Sequence, residues 1–412
     1  MMFDGLLVLD ISQVFAGPLM ARLLAEGGAT VVKVERPDGD LSRALPWIVD
    51  GHSGYFIQQN RGKLGLSMNL KSEDGRALLW HLIENADVVI DGFSPGVLAR
   101  LGFASDEMLA RNGRLIICEL SALGRGGALG DQRGYDPIGA CWAGVAYAAG
   151  NEGDMPVLPL VAMGDAMMGI CGYAGVVSAL FERERSGRGQ VVDVSLVDSY
   201  IQAHANTLEI YSLSGGKIGT RPVNGQNPAV SPSGVFASPD GGYLYLVAMS
   251  DGDWARLVRC MGRLDLVDDP RFITVQHRRE NRDALLEAVQ DWIDSCGQRD
   301  AAVAALNDAG VAAAPVLSTG EVLSSDYLRE RGTVDIVTDP LVGTFSVPGP
   351  PFRFSRSGRV PLANAPRLGE HNRQILTDVI GLDDERADAY LVGSAFAHQR
   401  VMHPDPTAAA GG

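Results

Sequence analysis

The first half of the chain alternates short apolar runs with longer amphipathic stretches. Residues 6–10 and 29–35 are rich in leucine and valine, and residues 18–26 between them form a helical stretch that opens with a proline. This pattern predicts a β-α-β unit, and such units build an α/β fold with a parallel sheet and helices on both faces. Further helices are predicted at 72–86, 95–101, 166–185 and 197–213, and further strands at 87–91, 114–119 and 190–195.

The composition changes at residues 214–233, where glycine, asparagine, proline and basic residues indicate a linker. Beyond it, residues 234–238 and 243–249 predict a β-hairpin. A chain of 412 residues exceeds the usual size of one domain, so we expect a second, smaller α+β domain after the linker. Its helices are predicted at 253–261, 280–295 and 300–309.

The overall charge and hydropathy narrow the classes of function. A net charge of −15 argues against a nucleic acid or an anionic membrane as a partner. We find no stretch long and apolar enough to cross a bilayer, and the N-terminus reads as a first strand, not as a signal peptide. The five cysteines lack CxxC spacing, which is typical of reduced thiols and predicts a cytoplasmic location.

Several familiar sites are absent from the sequence. The turn at residues 12–18 holds a single glycine, so the GxGxxG motif of nicotinamide and flavin sites is missing, and no Walker A motif occurs. The seven histidines have no spacing typical of a metal site. Residues 92–96 match the GxSxG motif of serine hydrolases, but Pro95 lacks the N–H that their oxyanion hole uses.

Asp165 lies where a polar loop gives way to the predicted apolar helix. An aspartate at such a place is commonly the N-cap of the helix. The positive end of a helix dipole also keeps a carboxylate ionised at neutral pH, as a carboxylate nucleophile requires. The two roles are compatible, and Asp165 is therefore the candidate catalytic residue.

Four basic residues follow elements of the predicted sheet, namely Arg36, Lys71, Arg100 and Arg133. Basic residues on loops are usually solvated charges. Loops at the carboxyl ends of parallel strands also converge on one crevice, where such side chains can hold the phosphates of a nucleotide-like ligand. Tyr135 is either a packed aromatic before a turn or a phenol that lies along the acyl end of that ligand.

Short motifs occur in a fixed order along nearly the whole chain. They are VLD at 8–10, AGP at 16–18, VKVER at 32–36, NRGK at 60–63, LK at 70–71, FSPG at 93–96, GYD at 134–136, GD at 164–165, GRGQ at 187–190 and APRLGEH at 365–371. Together they resemble the class III coenzyme A transferase family, also called CaiB/BaiF. That family includes formyl-, carnitine- and dicarboxylate-CoA transferases and the related α-methylacyl-CoA racemases.

The resemblance implies that the chain moves coenzyme A from an acyl-CoA donor to a small carboxylic acid, with no metal and no nicotinamide. Asp165 would carry an aspartyl anhydride and then an aspartyl-CoA thioester. The family's coenzyme A contacts correspond here to Phe15, Ala16, Arg36, Met68, Asn69, Leu70, Lys71, Gly92, Phe93, Ser94, Arg100, Arg133, Gly134, Tyr135 and Asp136.

The resemblance also implies a domain arrangement. A large Rossmann-like domain would comprise residues 1–213 and 318–412, and a small α+β domain would comprise residues 214–317. Two subunits would form an interlocked homodimer. Residues 403–412 are mostly proline, alanine and glycine, so we expect a disordered tail there.

Two departures from the family pattern bear on the reaction. Racemases of the family carry a histidine one residue before the acid at Asp136, where this chain has Tyr135. A phenol is a poor base at pH 7, which disfavours two-base racemisation. The tetraglycine loop of formyl-CoA transferase is missing, and Phe15 replaces its glutamine, which disfavours a formyl or oxalate substrate. The alternatives are an acyl-CoA racemase or epimerase that pairs Asp165 with another base such as His52, and a CoA-binding protein without catalysis.

Overall fold

The computed structural model describes residues 1–151, 153–158, 160–219, 225–227 and 230–396. The chain opens with the predicted β-α-β unit. The elements up to residue 67 are β1 (Leu7–Asp10), α1 (Ala16–Glu26), β2 (Thr30–Glu35), a 3-10 turn (Leu41–Ala44), β3 (Ile48–Val49), β4 (His52–Ser53), α2 (Gly54–Asn60) and β5 (Leu64–Ser67). The predicted disordered tail at 403–412 lies outside the described residues.

The alternation of strands and helices continues through residue 213. These elements are α3 (Glu73–Asn85), β6 (Val88–Asp91), α4 (Val97–Arg100), α5 (Ser105–Arg111), β7 (Ile116–Ser121), α6 (Asp136–Trp142), α7 (Val145–Ala148), α8 (Met163–Ser186), β8 (Gln190–Ser195), α9 (Leu196–Ile201) and α10 (Thr207–Leu213). One continuous helix at 197–213 was expected, and that expectation is wrong. The helix is interrupted before Thr207, where the ring of His204 bonds both the Thr207 hydroxyl and the Ala143 carbonyl.

The remaining elements begin with the expected hairpin and three helices. They are β9 (Ser233–Ala237), β10 (Tyr243–Val247), α11 (Asp251–Cys260), a 3-10 turn (Leu264–Leu266), α12 (Val275–Glu280), α13 (Arg282–Cys296), α14 (Arg299–Asp308), β11 (Ala312–Pro315), α15 (Thr319–Ser324), α16 (Asp326–Glu330), β12 (Val334–Asp339), β13 (Gly343–Pro348), α17 (Asn372–Gln374), a π-helical turn (Ile375–Val379) and α18 (Asp384–Val392).

Six strands form one sheet in the order β5-β2-β1-β6-β7-β8. Every neighbouring pair in it is parallel, which confirms the predicted parallel sheet of an α/β fold. Alternate residues of β1 point to opposite faces, because side chains in a strand have a period of two. Leu9 packs with the leucines of α3 on one face, and Val8 packs with α1 and α8 on the other.

Contacts divide the chain into two compact units. The first comprises residues 1–145, 158–208 and those from 330 onward, and it contains the parallel sheet. The second comprises Ala146–Val157 and Glu209–Arg329, with an antiparallel sheet in the order β11-β10-β9 and a core of its own from α11, α13 and α14. The predicted boundaries of the large and small domains stay a prediction.

Helix α8 is long and apolar enough to cross a membrane, by length and composition alone. The expectation that no stretch meets this test is therefore wrong. The helix packs along α1 and against β7 and β8 of the sheet, and 39% of its most apolar window is buried. Core helices of soluble proteins pass the same test, so the finding is weak evidence for a membrane span.

Candidate active site

Asp165 is the third residue of α8, not its N-cap. The helix begins at Met163, and Ala162 occupies the cap position without a side-chain capping bond. The cap comes from elsewhere in the chain, because a carboxylate oxygen of Asp136 accepts the backbone N–H of Asp165 at 2.9 Å. The N-cap interpretation of Asp165 is therefore wrong, and its own carboxylate is not used as a cap.

Asp136 is held in place by both of its carboxylate oxygens. It is the first residue of α6, and Pro137 follows it, which suits the start of a helix. One oxygen caps α8, and the other accepts the hydroxyl of the fully buried Tyr200 at 2.5 Å. Asp136, at the start of α6, is thus bonded both to the start of α8 and to Tyr200 of α9.

A glycine is required beside Asp165 for reasons of packing. Gly164 lies flat against the ring of Tyr200, and a Cβ atom at this position would be only 2.0 Å from Cε2 of that ring. The glycine-aspartate pair at 164–165 therefore has a physical basis. The glycine admits the tyrosine, and the tyrosine orients the carboxylate that caps the helix.

The carboxyl of Asp165 is half-buried, and burial together with the nearby Asp136 carboxylate raises its pKa to about 7. We expected the helix N-terminus to keep Asp165 fully ionised at neutral pH, and that expectation is wrong. The helix dipole typically contributes 0.3–1 kcal/mol, which is less than the penalty of burial beside a like charge. Among the described residues, no lysine or arginine forms an ion pair that offsets this penalty.

The face of α8 that carries Asp165 points toward the turn that follows β1. Asp165 and Gly169 are four residues apart, so they share one face of the helix. A Cβ atom on Gly169 would lie 2.8 Å from the carbonyl oxygen of Ala16, which means that the backbones of α8 and this turn are in close contact. Phe15 and Ala16, both expected to touch the ligand, therefore lie on the same side of α8 as Asp165.

Tyr55 of α2 also lies near Asp165, and the sequence gave no signal for it. Burial raises the pKa of its phenol to about 12, with Asp165 as the second cause. Its ring packs edge-on against Phe15, with the ring centroids 6.0 Å apart. Tyr55 therefore keeps its proton at neutral pH and can donate a hydrogen bond.

A cleft of about 380 Å³ lies at the carboxyl ends of β1, β2 and β5. Its wall combines apolar side chains such as Met68 and Leu101 with the exposed cations Arg36 and Lys71. Parallel sheets bind ligands at such carboxyl edges. Of the expected coenzyme A contacts, the residues that line this cleft are Arg36, Met68, Asn69, Leu70, Lys71 and Phe93.

The other expected contacts do not line this cleft. Phe15 and Ala16 start α1, Gly92 and Ser94 follow β6, and Arg100 ends α4. Arg133, Gly134, Tyr135 and Asp136 form the turn into α6, where Tyr135 is 70% exposed. Of these, the structure brings Asp136 and Phe15 toward Asp165.

Beneath the cleft lies a buried network of two lysines and two aspartates. Lys63 Nζ is 2.7 Å from an Asp10 oxygen, and Lys33 Nζ is 2.8 Å from an Asp40 oxygen, with all four side chains fully buried. Asp10 and Lys33 are also register partners on β1 and β2. The sequence contained a signal for this network, because Asp10 and Lys33 lie within the apolar runs of β1 and β2. Charged residues buried in such strands must be paired.

The network fixes the turn that contacts α8. Asp40 accepts the backbone N–H of Val14 at 3.2 Å. Val14 has a φ of 68°, a left-handed conformation that a β-branched residue rarely adopts. Such strain persists only where surrounding bonds hold it, and it is typical of functional sites.

No group of three or more histidine, cysteine, aspartate or glutamate side chains within the described ranges is arranged to hold a metal ion. The chemistry available at the site is that of a half-buried carboxyl with a raised pKa, a protonated phenol and a cleft with cations at its rim.

Comparisons with known proteins agree on one family. The family model described as CoA-transferase family III matches residues 3–372. The chain is 30% identical to a formyl-CoA:oxalate CoA-transferase of Streptomyces coelicolor, over 93% of this chain and 96% of that relative. It is 32% identical to a succinyl-CoA:mesaconate CoA-transferase of Haloarcula hispanica, over 94% of this chain and 98% of that relative.

Solved structures show the same fold. A crystal structure of a CAIB/BAIF family protein from Brucella suis matches with a TM-score of 0.79 at 30% identity, covering 91% of this chain and 98% of that one. The crystal structure of Rv3272 from Mycobacterium tuberculosis also matches with a TM-score of 0.79 at 30% identity, covering 90% and 97% of the two chains.

Proposed function

The chain belongs to CoA-transferase family III, and from that membership we propose that it moves coenzyme A between two carboxylic acids through covalent intermediates on Asp165. One observation carries the proposal. Asp165 is a half-buried carboxyl without a cationic partner among the described residues, and its pKa is raised to about 7. Groups with strongly perturbed pKa values cluster at functional sites.

The reaction starts with the ionised carboxylate. An oxygen of Asp165 attacks the thioester carbonyl of the donor acyl-CoA, the carbon–sulfur bond breaks, and coenzyme A leaves as a thiolate with the electron pair. The products of this step are a mixed anhydride on Asp165 and free thiolate. The thiolate then attacks the aspartyl carbonyl, which expels the donor acid as a carboxylate and leaves an aspartyl-CoA thioester.

The second half runs in reverse with the acceptor. The acceptor carboxylate attacks the aspartyl thioester and releases the thiolate, and the thiolate attacks the acceptor's acyl carbonyl. New acyl-CoA forms and the Asp165 carboxylate is regenerated. Because every intermediate keeps the acyl group activated, the sequence of steps balances without ATP.

Neighbouring side chains support these steps in different ways. The raised pKa of Asp165 makes its carboxylate more basic, and therefore a better nucleophile, once it is ionised. Tyr55 keeps its proton at neutral pH and donates a hydrogen bond to the oxyanion that develops on each tetrahedral intermediate. Asp136 caps α8 and fixes where the Asp165 side chain starts.

We assign the coenzyme A site to the cleft at the carboxyl edge of the sheet. Arg36 and Lys71 would pair with phosphates, and the apolar wall around Met68 and Phe93 would hold the uncharged parts of the ligand. The remaining contacts belong to the same proposal: Phe15, Ala16, Asn69, Leu70, Gly92, Ser94, Arg100, Arg133, Gly134, Tyr135 and Asp136.

The substrates and the assembly are also proposals. The names of the relatives pair formyl-CoA with oxalate, and succinyl-CoA with mesaconate, D-citramalate or glutarate. We propose succinyl-CoA as the first donor to test, with small dicarboxylic acids as acceptors. We further propose an interlocked homodimer in the cytoplasm.

Steady-state assays of Asp165→Asn and Asp165→Ala test the proposal. We expect a fall in acyl-CoA formation of about 10⁴-fold or more, because the neighbouring carboxyl, Asp136, already uses both of its oxygens to accept hydrogen bonds from Asp165 N–H and Tyr200. Asp131→Asn, which alters an exposed carboxyl, is the matched control and should keep full activity. Full turnover by the alanine variant would exclude the mechanism.

Deuterium exchange separates the proposal from the racemase alternative. A racemase incorporates solvent deuterium at the α-carbon of a 2-methylacyl-CoA, whereas the proposed transfer leaves that carbon untouched. Tight coenzyme A binding without acyl exchange across a broad panel of acids would instead indicate a binding protein without catalysis.

A further inference from the structure

Arg125 lies on the glycine-rich loop that follows β7, and its side chain reaches two carboxylates on neighbouring strands. Nη2 is 2.8 Å from an oxygen of Asp91, the last residue of β6, and Nε is 3.1 Å from an oxygen of Glu119 on β7. The backbone N–H of Arg125 also donates to Asp193 of β8 at 3.0 Å. One residue thus contacts three successive strands of the parallel sheet.

The three carboxylates form a row across the sheet. Asp91 and Glu119 are register partners on β6 and β7, and Glu119 and Asp193 are register partners on β7 and β8. Register partners project from the same face of a sheet, so three negative charges lie side by side and repel one another. Arg125 lies among them and supplies the opposite charge.

Asp91 is the most buried member of this row. Only 2% of the residue is exposed. Burial raises the pKa of its carboxyl, and Arg125 opposes that rise more strongly than any other neighbouring group does. A buried carboxylate without such a partner is costly, so the ionised form of Asp91 depends on Arg125.

The carboxylate of Asp91 connects Arg125 to the proposed coenzyme A cleft. One oxygen bonds Arg125, and the other accepts the backbone N–H of Phe93 at 2.9 Å. Phe93 lines the cleft. Gly92, between the two, lies against Ser12, since a Cβ atom on Gly92 would be 2.7 Å from Cβ of Ser12. Arg125 therefore holds, through Asp91, the turn that places Phe93 in the cleft wall.

The same loop leads on to Asp136, but by a route that does not involve the Arg125 side chain. The two ends of the loop are in contact, because a Cβ atom on Gly134 would be 2.8 Å from Cβ of Ala122. The carboxylate of Asp136 bonds the N–H of Asp165 and the hydroxyl of Tyr200. We therefore expect the charge of Arg125 to influence ligand binding more than the chemical step.

We propose that Arg125 is a positioning residue for coenzyme A binding, which acts through Asp91 on the backbone of Phe93. Arg125 does not itself line the cleft, and its role differs from the phosphate pairing assigned to Arg36 and Lys71. This inference rests on the proposed function, because it requires coenzyme A in the cleft that Phe93 lines.

Calorimetric titration of coenzyme A into the full-length protein tests the proposal, together with steady-state kinetics. Arg125→Met should weaken coenzyme A binding by about 10-fold and raise the KM for succinyl-CoA to a similar extent, because the turn at Phe93 loses its anchor. The kcat should change by less than about 3-fold, since Asp165 and Asp136 keep their contacts. A loss of folded protein would instead lower kcat at an unchanged KM.

Two further variants serve as rescue and control. Arg125→Lys keeps the positive charge but lacks the fork that reaches Asp91 and Glu119 together, so its affinity for coenzyme A should be about 3-fold below that of the wild type. Arg114→Met removes an exposed arginine just before the other end of β7, and it should bind coenzyme A as the wild type does.

A double-mutant cycle with Asp91 tests the route of the effect. Asp91→Asn keeps an oxygen for the N–H of Phe93 but removes the charge that Arg125 balances. In this background Arg125→Met should weaken coenzyme A binding by about 3-fold or less, compared with about 10-fold in the wild type. An equal loss in both backgrounds would exclude a route through Asp91 and overturn the proposal.

Failure of this inference differs from failure of the proposed function. A wild type that neither binds nor transfers coenzyme A would overturn both. A wild type that does both, with unchanged affinity and KM in Arg125→Met, would overturn the role of Arg125 alone. If Arg125→Met does not fold, Arg125→Lys decides in its place, because wild-type affinity for coenzyme A in that variant would contradict the proposal.

Discussion

Two groups of buried carboxylates in the first unit differ in their counter-charges. Asp10 and Asp40 are fully buried, and each lies within 2.8 Å of a buried lysine. Burial alone raises the pKa of Asp40, yet Lys33 lowers it to about 2. Asp165 is less buried, but its neighbour is another carboxylate, and burial with that neighbour raises its pKa to about 7.

The contrast separates a structural site from a reactive one within a single fold. Paired carboxylates stay ionised and hydrogen-bonded, so they hold Val14 and the turn after β1 in place. An unpaired, partly buried carboxylate has a high free energy. Forming an anhydride or a thioester removes its charge and therefore relieves this penalty. The paired network therefore holds the turn beside Asp165 in place, and Asp165 is the residue to which we assign the chemistry.

Breaking the paired network should have the largest effect on stability. Lys63→Met leaves Asp10 buried with only Lys33, whose Nζ is 3.9 Å away. We expect the free energy of unfolding to fall by about 3–5 kcal/mol, as is typical when one partner of a buried ion pair is removed. Denaturant titration measures this, with the exposed Lys71→Met as the control. A loss below about 1 kcal/mol would show that the network is not needed for stability.

Removing the unpaired carboxylate of Asp165 should raise the free energy of unfolding, whereas breaking the paired network lowers it. The size of the gain depends on pH. Because the pKa of Asp165 in the folded protein lies above the ordinary 3.8, its contribution to stability is present below about pH 4 and is lost as pH rises through 7. Asp165→Asn stays neutral, so it should exceed the wild type at pH 8 by about 2 kcal/mol, a value reduced for solvent screening.

The difference between Asp165→Asn and the wild type should nearly vanish at pH 4. Denaturant titrations of both proteins at pH 4, 6 and 8 measure it, with Asp131→Asn as the control. A difference that does not change with pH, or an asparagine variant that is less stable at pH 8, would contradict a raised pKa at Asp165.

Removing the negative charge of Asp136, next to Asp165, should have a smaller effect. Asp136→Asn keeps an oxygen for the N–H of Asp165 and offers an amide to the hydroxyl of Tyr200. Burial is the larger cause of the raised pKa, so the Asp165 pKa should fall by only about half a unit to one unit. The acidic limb of the pH profile of kcat/KM reports the pKa of Asp165. A midpoint of that limb that is unchanged or higher in Asp136→Asn would exclude coupling between the two acids.

Much of the fold was predictable from local pattern, while the details of the site were not. The parallel sheet followed from valine-rich runs between helical stretches, and its carboxyl edge followed from the general rule for such sheets. The start of α8 was misplaced because its cap, Asp136, comes from a distant segment. Tyr55 was missed for the same reason, since only the packing of α2 against Phe15 brings it near Asp165.

Mass spectrometry of the covalent intermediate tests the central claim most directly. The protein is incubated with succinyl-CoA without an acceptor acid, quenched and digested. The account predicts that the peptide containing Asp165 gains the mass of coenzyme A minus one water, and that the adduct disappears when acceptor is added. Turnover with that peptide unmodified throughout, or an adduct on a different carboxyl, would contradict it.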